Sequence, residues 1–207
     1  MTSPLLEVPM SQLESFRLVW SAARGIAMAA GLVAAGCVTD ADDGPDRTLG
    51  EPPAGDTVDR VEVGQYVGTW YEIASIPMGF QASCTATTAT YAVVSPQTVS
   101  VVNRCRWGSL QGNPLEITGT ATVVEPVSNA RLEVDFGFAL APYWIVDLGV
   151  AVGDEPYPWA VVSNPDRSAL WLLSRTPKIS AARFDAVVGR LADRGFEPER
   201  MLRTEQP

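Results

Sequence analysis

The chain contains no histidine. That absence removes the side chain most often used as a general base, and a common zinc ligand. Ser-His-Asp and Cys-His hydrolase mechanisms are excluded in their usual form. No catalytic residue, metal or other cofactor is expected. Basic residues are scarce: 15 Lys and Arg against 24 Asp and Glu leave a net charge of −9. Phosphate binding needs clustered Lys and Arg, so nucleic acid is not an expected partner. Cysteine is limited to Cys37, Cys84 and Cys105. The apolar run at residues 25–36 is too short to span a bilayer. What remains is a 207-residue chain with 46% hydrophobic residues, enough for one domain of ordinary size with a full core.

The run Gly-Ile-Ala-Met-Ala-Ala-Gly-Leu-Val-Ala-Ala-Gly at 25–36 has the length of a signal-peptide apolar core, and Arg17 and Arg24 form its basic flank. The residues ahead of that flank exceed what a signal needs, which leaves Met10 as an alternative start. Ala34-Ala35-Gly36-Cys37 resembles the bacterial lipobox, although its first position is usually Leu. The resemblance implies cleavage after residue 36 and acylation of Cys37. The other reading is a plain secretory signal cut near Gly36, with Cys37 unmodified. One acyl chain anchors only marginally, so a multiply acylated cysteine would hold better. In Gram-negative cells, Val38 after the cysteine, where Asp would retain the protein, implies the outer membrane. Residues 37–60 hold seven acids and two bases, are rich in Pro and Gly, and lack aromatics. Such a segment buries too little apolar surface to offset ordering and reads as a flexible acidic tether.

From Trp70 onward, β-rich runs recur at short spacing: Trp70–Ile76, Thr85–Val94, Thr98–Trp107, Glu116–Val124, Arg131–Phe136, Tyr143–Leu148, Trp159–Val162 and Leu170–Arg175. Pro, Gly, Asn and Asp clusters separate them. Eight strands joined by short turns predict an all-β fold, an eight-stranded antiparallel up-and-down barrel; a β-sandwich is the structural alternative. A single helix should follow, capped by Ser180, ended by Gly195, and apolar at Phe184, Val187, Val188 and Leu191. It should pack outside the barrel. Residues 201–204 could add a short last strand.

Two motifs bracket this region. Gly68-Thr69-Trp70-Tyr71-Glu72 opens the first strand, and Trp171-Leu172-Leu173-Ser174-Arg175-Thr176-Pro177 forms the eighth, preceded by Asn164-Pro165-Asp166. Together they resemble the lipocalin family, in particular bacterial lipocalins and apolipoprotein D, across residues 61–207. The resemblance implies that Arg175 lies across Trp70 and closes one end of the barrel. A guanidinium over an indole gains about 1–2 kcal/mol when desolvated, and its donors can satisfy nearby carbonyls. Gly68, Trp70 and Arg175 are therefore expected to be structural.

The mid-way point between Cys84 and Cys105 falls at about Ser95, in the turn between the second and third strands. Equidistant residues of an antiparallel hairpin face each other closely enough for a disulfide. The bond would contribute about 3 kcal/mol. Some lipocalins use a thiol to isomerise lipids, which makes catalysis by Cys84 the enzymatic alternative.

Trp70 pointing inward fixes the faces by alternation. Trp171 and Leu173 then line the interior, and the resemblance adds Thr87, Ala89 and Tyr91 on the second strand. Tyr143 and Ile145 follow on the sixth, and Asn103 and Trp107 are candidates on the third. Alternation from Asn103 turns Cys105 inward while alternation from Tyr91 turns Cys84 outward, a conflict that only a bulge resolves. Phe136 and Phe138 should sit at the open rim, opposite Met78 and Phe80. Such a wall suits a fatty acid, lysophospholipid or similar lipid. The expected protein is a lipid-binding envelope lipoprotein that is not an enzyme, anchored to the outer membrane and facing the periplasm. An envelope-assembly protein with a filled barrel is a further alternative.

Overall fold

The computed structural model describes residues 49, 53–79 and 81–207. The signal, Cys37 and Phe80 lie outside the described residues. A short helix α1 (Val63–Tyr66) leads into eight strands: β1 (Gly68–Ser75), β2 (Cys84–Ser95), β3 (Thr98–Trp107), β4 (Pro114–Val123), β5 (Arg131–Asp135), β6 (Leu140–Leu148), β7 (Trp159–Ser163) and β8 (Leu170–Ser174). Helix α2 (Ala181–Asp193) and the short strand β9 (Leu202–Arg203) follow. Each strand pairs antiparallel with the next, and β1 pairs with both β8 and β2, so the sheet closes on itself. Closure removes the sheet edges that would otherwise invite pairing with other chains.

The end where α1 meets the start of β1 is the floor. Chain direction then places the β1–β2, β3–β4, β5–β6 and β7–β8 loops at the opposite end. Near that mouth β1 and β2 diverge, and the C-terminal tail fills the gap. In β9, Arg203 pairs with Ala74 and Leu202 with Ser75, while Ala86 N–H donates to the Glu205 carbonyl at 2.7 Å.

Period-two alternation divides the apolar residues into two cores. Trp70, Tyr91, Val99, Val101, Ile145 and Leu173 are among those filling the interior. Ile73, Trp159, Val161, Leu172, Val187 and Leu191 lie between the outer wall and α2. Helix α2 begins at Ser180, whose hydroxyl accepts from Arg183 N–H at 3.2 Å. It ends before Gly195, at φ +76°, where a side chain would be strained. Helical spacing buries Val187 and Leu191 completely and leaves Phe184 and Val188 half-buried.

A bulge between Ile145 and Asp147 turns Val146 and Asp147 both toward the helix. Asp147 is fully enclosed. It accepts from Arg190 Nη2 at 2.7 Å and Nε at 3.1 Å, with Arg194 Nη1 at 3.8 Å. A buried carboxylate needs this pairing to offset its lost hydration. Residues 53–60, inside the segment expected as a tether, are held against the domain. Val58 is buried and its N–H donates to the Ile145 carbonyl at 3.0 Å, and Asp56 pairs with Arg167 at 3.2 Å.

Candidate binding site in the barrel

The floor is built around Trp70, which is fully buried. Its indole N–H donates to the Tyr66 carbonyl at 2.8 Å. The Arg175 guanidinium lies 3.7 Å above the ring centroid. Its nitrogens donate to the carbonyls of Gln65, Tyr66, Val67, Thr69 and Tyr157 at 2.9–3.2 Å. Burial pulls its pKa below the ordinary value. Gly68 sits at φ +100°, and a Cβ there would come within 3.2 Å of Arg175 Nη1. Glycine thus lets the chain turn into β1 directly under the cation. Gly68, Trp70 and Arg175 thus meet at this end of the barrel.

Above the floor three tyrosines meet. Tyr66 Oη lies 2.7 Å from Tyr143 Oη, which is 3.1 Å from Tyr91 Oη. The Tyr66 and Tyr91 rings stack at 5.9 Å, and Tyr143 meets Tyr91 edge-on at 6.0 Å. Burial pushes Tyr91 up to about 12 and raises Tyr66 and Tyr143 well above the usual phenol range. The neutral hydroxyls satisfy one another. The cavity left here, between these rings and Val61, Val99, Ala121, Val134 and Ile145, is about 30 Å³. That holds roughly one water, whereas drug-sized ligands occupy about 300–1,000 Å³. The lower half of the barrel is therefore filled.

Above the tyrosines the inner face carries smaller and half-buried side chains. Ala89, Asn103 and Ile117 form one inward row across β2, β3 and β4. Leu173 is buried opposite Ala160 and Glu72, and Trp171 is half-buried, its indole N–H donating to Gln81 Oε1 at 3.3 Å. Phe136 folds over Gly119, where a Cβ would come within 2.8 Å of the ring. Phe138 stacks on Phe136 at 6.3 Å and is 41% exposed. Trp107, 38% exposed, ends β3 at the rim, and Met78 is half-buried in the β1–β2 loop.

The conflict between Tyr91 and Cys84 is resolved by a bulge in β2. Thr85 pairs with Arg106 but Thr88 pairs with Arg104, and Ala86 between them sits at φ +49°. The extra residue reverses the alternation, so Cys84 and Cys105 both face inward and form a disulfide with Cα atoms 5.5 Å apart. One expectation is corrected here. The two cysteines are not directly opposite: Cys84 faces Trp107, and Cys105 is diagonal to it. The turn is centred between Pro96 and Gln97, where Ser95 pairs with Thr98, rather than at Ser95, and the bulges at Thr85/Thr88 and Val93/Ser95 only partly offset that displacement. In this bonded state Cys84 has no thiol to act as a nucleophile.

The structure brings Ala89, Tyr91, Asn103, Phe136, Tyr143, Ile145, Trp171 and Leu173 to one interior, with Trp107 and Phe138 at its rim. It adds Tyr66 and Glu72, which sequence reasoning did not single out. Alternation from Trp70 was the available signal for Glu72. Tyr66 carried none, because its position depends on how α1 caps the floor.

A closed eight-stranded antiparallel barrel, floored by a Trp–Arg pair and flanked by one helix, defines a lipocalin-type protein. The chain belongs to the lipocalin family: the family model for a lipocalin-like domain matches residues 61–206. It is 31% identical over 158 residues to the outer membrane lipoprotein Blc of Vibrio cholerae, covering 76% of this chain and 90% of that protein. Identity to a putative lipocalin R877 of Acanthamoeba polyphaga mimivirus is 31% over 69% of this chain and 83% of that one. Mouse apolipoprotein D is 27% identical over 76% and 84%. Among solved structures, insecticyanin of the tobacco hornworm Manduca sexta superposes with a TM-score of 0.55 at 17% identity, covering 76% of this chain and 87% of that one. That likeness bears on the fold.

Proposed function

We propose that this lipocalin binds one amphipathic lipid, such as a fatty acid or lysophospholipid, in the upper half of its barrel. The observation that carries the reading is the half-exposed wall of Ala89, Ile117, Phe136 and Trp171 standing above a filled, tyrosine-sealed floor. An acyl chain would lie on this wall, and Trp107 and Phe138 would form the lip. Anchoring through an acylated Cys37 places the protein at the cell envelope, on the periplasmic face of the outer membrane. The Blc relatives named outer membrane lipoproteins support this placement. Native mass spectrometry of protein purified from membranes tests both parts: a mass matching one bound lipid and an acylated Cys37 is expected. An unacylated chain without lipid, together with no saturable uptake of added lipid, contradicts the proposal.

One observation favours a second reading. The small cavity of about 30 Å³ suits a barrel that carries no ligand and serves envelope assembly as a rigid body. Failure of lipid binding with an intact fold selects this reading.

A further inference from the structure

Beneath the mouth, on the inner side of the β1–β2 gap, lies a group of polar side chains that the fold does not use up. Glu72 is 6% exposed, on the inner face two residues beyond Trp70 and opposite Leu173. Its Oε1 accepts from Ser75 Oγ at 3.0 Å and Thr204 Oγ1 at 2.6 Å. Among the described residues no cation pairs with it. Gln206 Nε2 reaches both the Glu72 carbonyl at 2.8 Å and the Thr87 carbonyl at 2.9 Å, which ties the tail across the gap and places Thr87 beside Glu72. Thr87 is 8% exposed, and among the described residues its hydroxyl has no partner. Asn103 Oδ1, one row deeper on β3, and Gln206 Oε1 are likewise buried without partners among the described residues.

Native proteins pair nearly all buried polar atoms, so three orphans in the same part of the barrel as a buried carboxyl without a cation need an explanation. A self-contained polar core would have closed its own bonds. Most of these oxygens are acceptors: the two amide oxygens and the carboxyl accept, and only the Thr87 hydroxyl can also donate. The missing component is therefore a donor with several hydrogens. A carboxylate head group fits poorly, since it brings acceptors and a negative charge beside the Glu72 carboxyl, whose pKa burial already raises.

We infer that Glu72, Thr87 and Asn103 form the head-group site of the barrel and select an amphiphile ending in a primary ammonium group. The ammonium would pair with Glu72 and donate to the orphan oxygens, while its alkyl chain runs along Ala89, Trp171 and Leu173. This rests on the proposed lipid binding and narrows its ligand class from amphipathic lipids in general to those that carry an amine, as some lysophospholipids do and fatty acids do not. It also gives the C-terminal tail a part in recognition, because Thr204 and Gln206 orient Glu72 and Thr87.

The test compares three single-chain probes of equal length, decylamine, decanol and decanoate, by isothermal titration of the purified full chain below their micellar concentrations. Decylamine should bind at least tenfold tighter than decanoate, with decanol between them. Glu72→Gln should remove that preference and leave decanol affinity within twofold, while its thermal midpoint at neutral pH stays at or above the original. Thr87→Val, which deletes an orphan hydroxyl but keeps the carboxyl, should weaken decylamine about threefold to tenfold and serves if Glu72→Gln fails to fold. Equal binding of decylamine and decanoate, or an amine preference unchanged in these variants, overturns the head-group assignment alone. Failure of all three probes to bind overturns it together with the lipid-binding reading.

Discussion

At the scale of single residues, Trp70 does two things at once. Its ring fills the floor, and its face receives Arg175, whose donors gather the carbonyls of the α1–β1 turn. Trp70→Ala should therefore destabilise the domain by about 3–5 kcal/mol, since a large void opens where packing cannot collapse onto it. Chemical denaturation of the variant checks this, and unchanged stability would remove the structural role. The tyrosines make a separate prediction. Tyr91 is pushed up to about 12, while an unfolded phenol titrates near 10. The folded state then holds its proton more tightly, so this stabilisation is complete below about pH 10 and is lost as pH rises toward 12. Absorbance of the phenolate should show Tyr91 ionising only near pH 12 or on unfolding. Its ionisation near pH 10 in a folded barrel would contradict the buried hydroxyl cluster.

At the scale of elements, bulges do work that strict alternation does not anticipate. The bulge in β2 reverses the facing of Cys84, and the one in β6 presents Val146 and Asp147 together to α2. Both lie in runs whose composition reads as plain strand, so neither carried a sequence signal beyond the clash between Tyr91 and Cys84. Asp147 then clamps α2 through Arg190 and Arg194. Asp147→Ala leaves two largely buried guanidinium groups short of their partner and should cost about 3–5 kcal/mol. Thermal unfolding reads this. A loss under 1 kcal/mol would mean that α2 is held by its Val187 and Leu191 face alone. The strand sequence was legible because Pro, Gly and Asn mark nearly every turn, and α2 because Ser180, Gly195 and the apolar spacing agree. The tail was less legible. Thr204 and Gln206 look like solvent-facing residues until the divergence of β1 from β2 makes room for them.

At the scale of the whole molecule, the family was legible from two short motifs 105 residues apart. Their pairing needed no knowledge of the loops between them. The interior wall followed from alternation once Trp70 fixed its phase. How much of the interior is empty was not legible, since that depends on side-chain packing among Tyr66, Tyr91 and Tyr143 rather than on residue type. On the proposed reading a ligand would lie above these rings, against Ala89, the small residue of that wall. The direct measurement is a titration of the lipid-stripped full chain with decylamine, set beside Ala89→Trp, whose indole would occupy that space. One saturable site per chain, abolished in Ala89→Trp without loss of the folded signal in circular dichroism, is the predicted result. Binding that is absent in the original chain, or undiminished in Ala89→Trp, would contradict an upper-barrel ligand site.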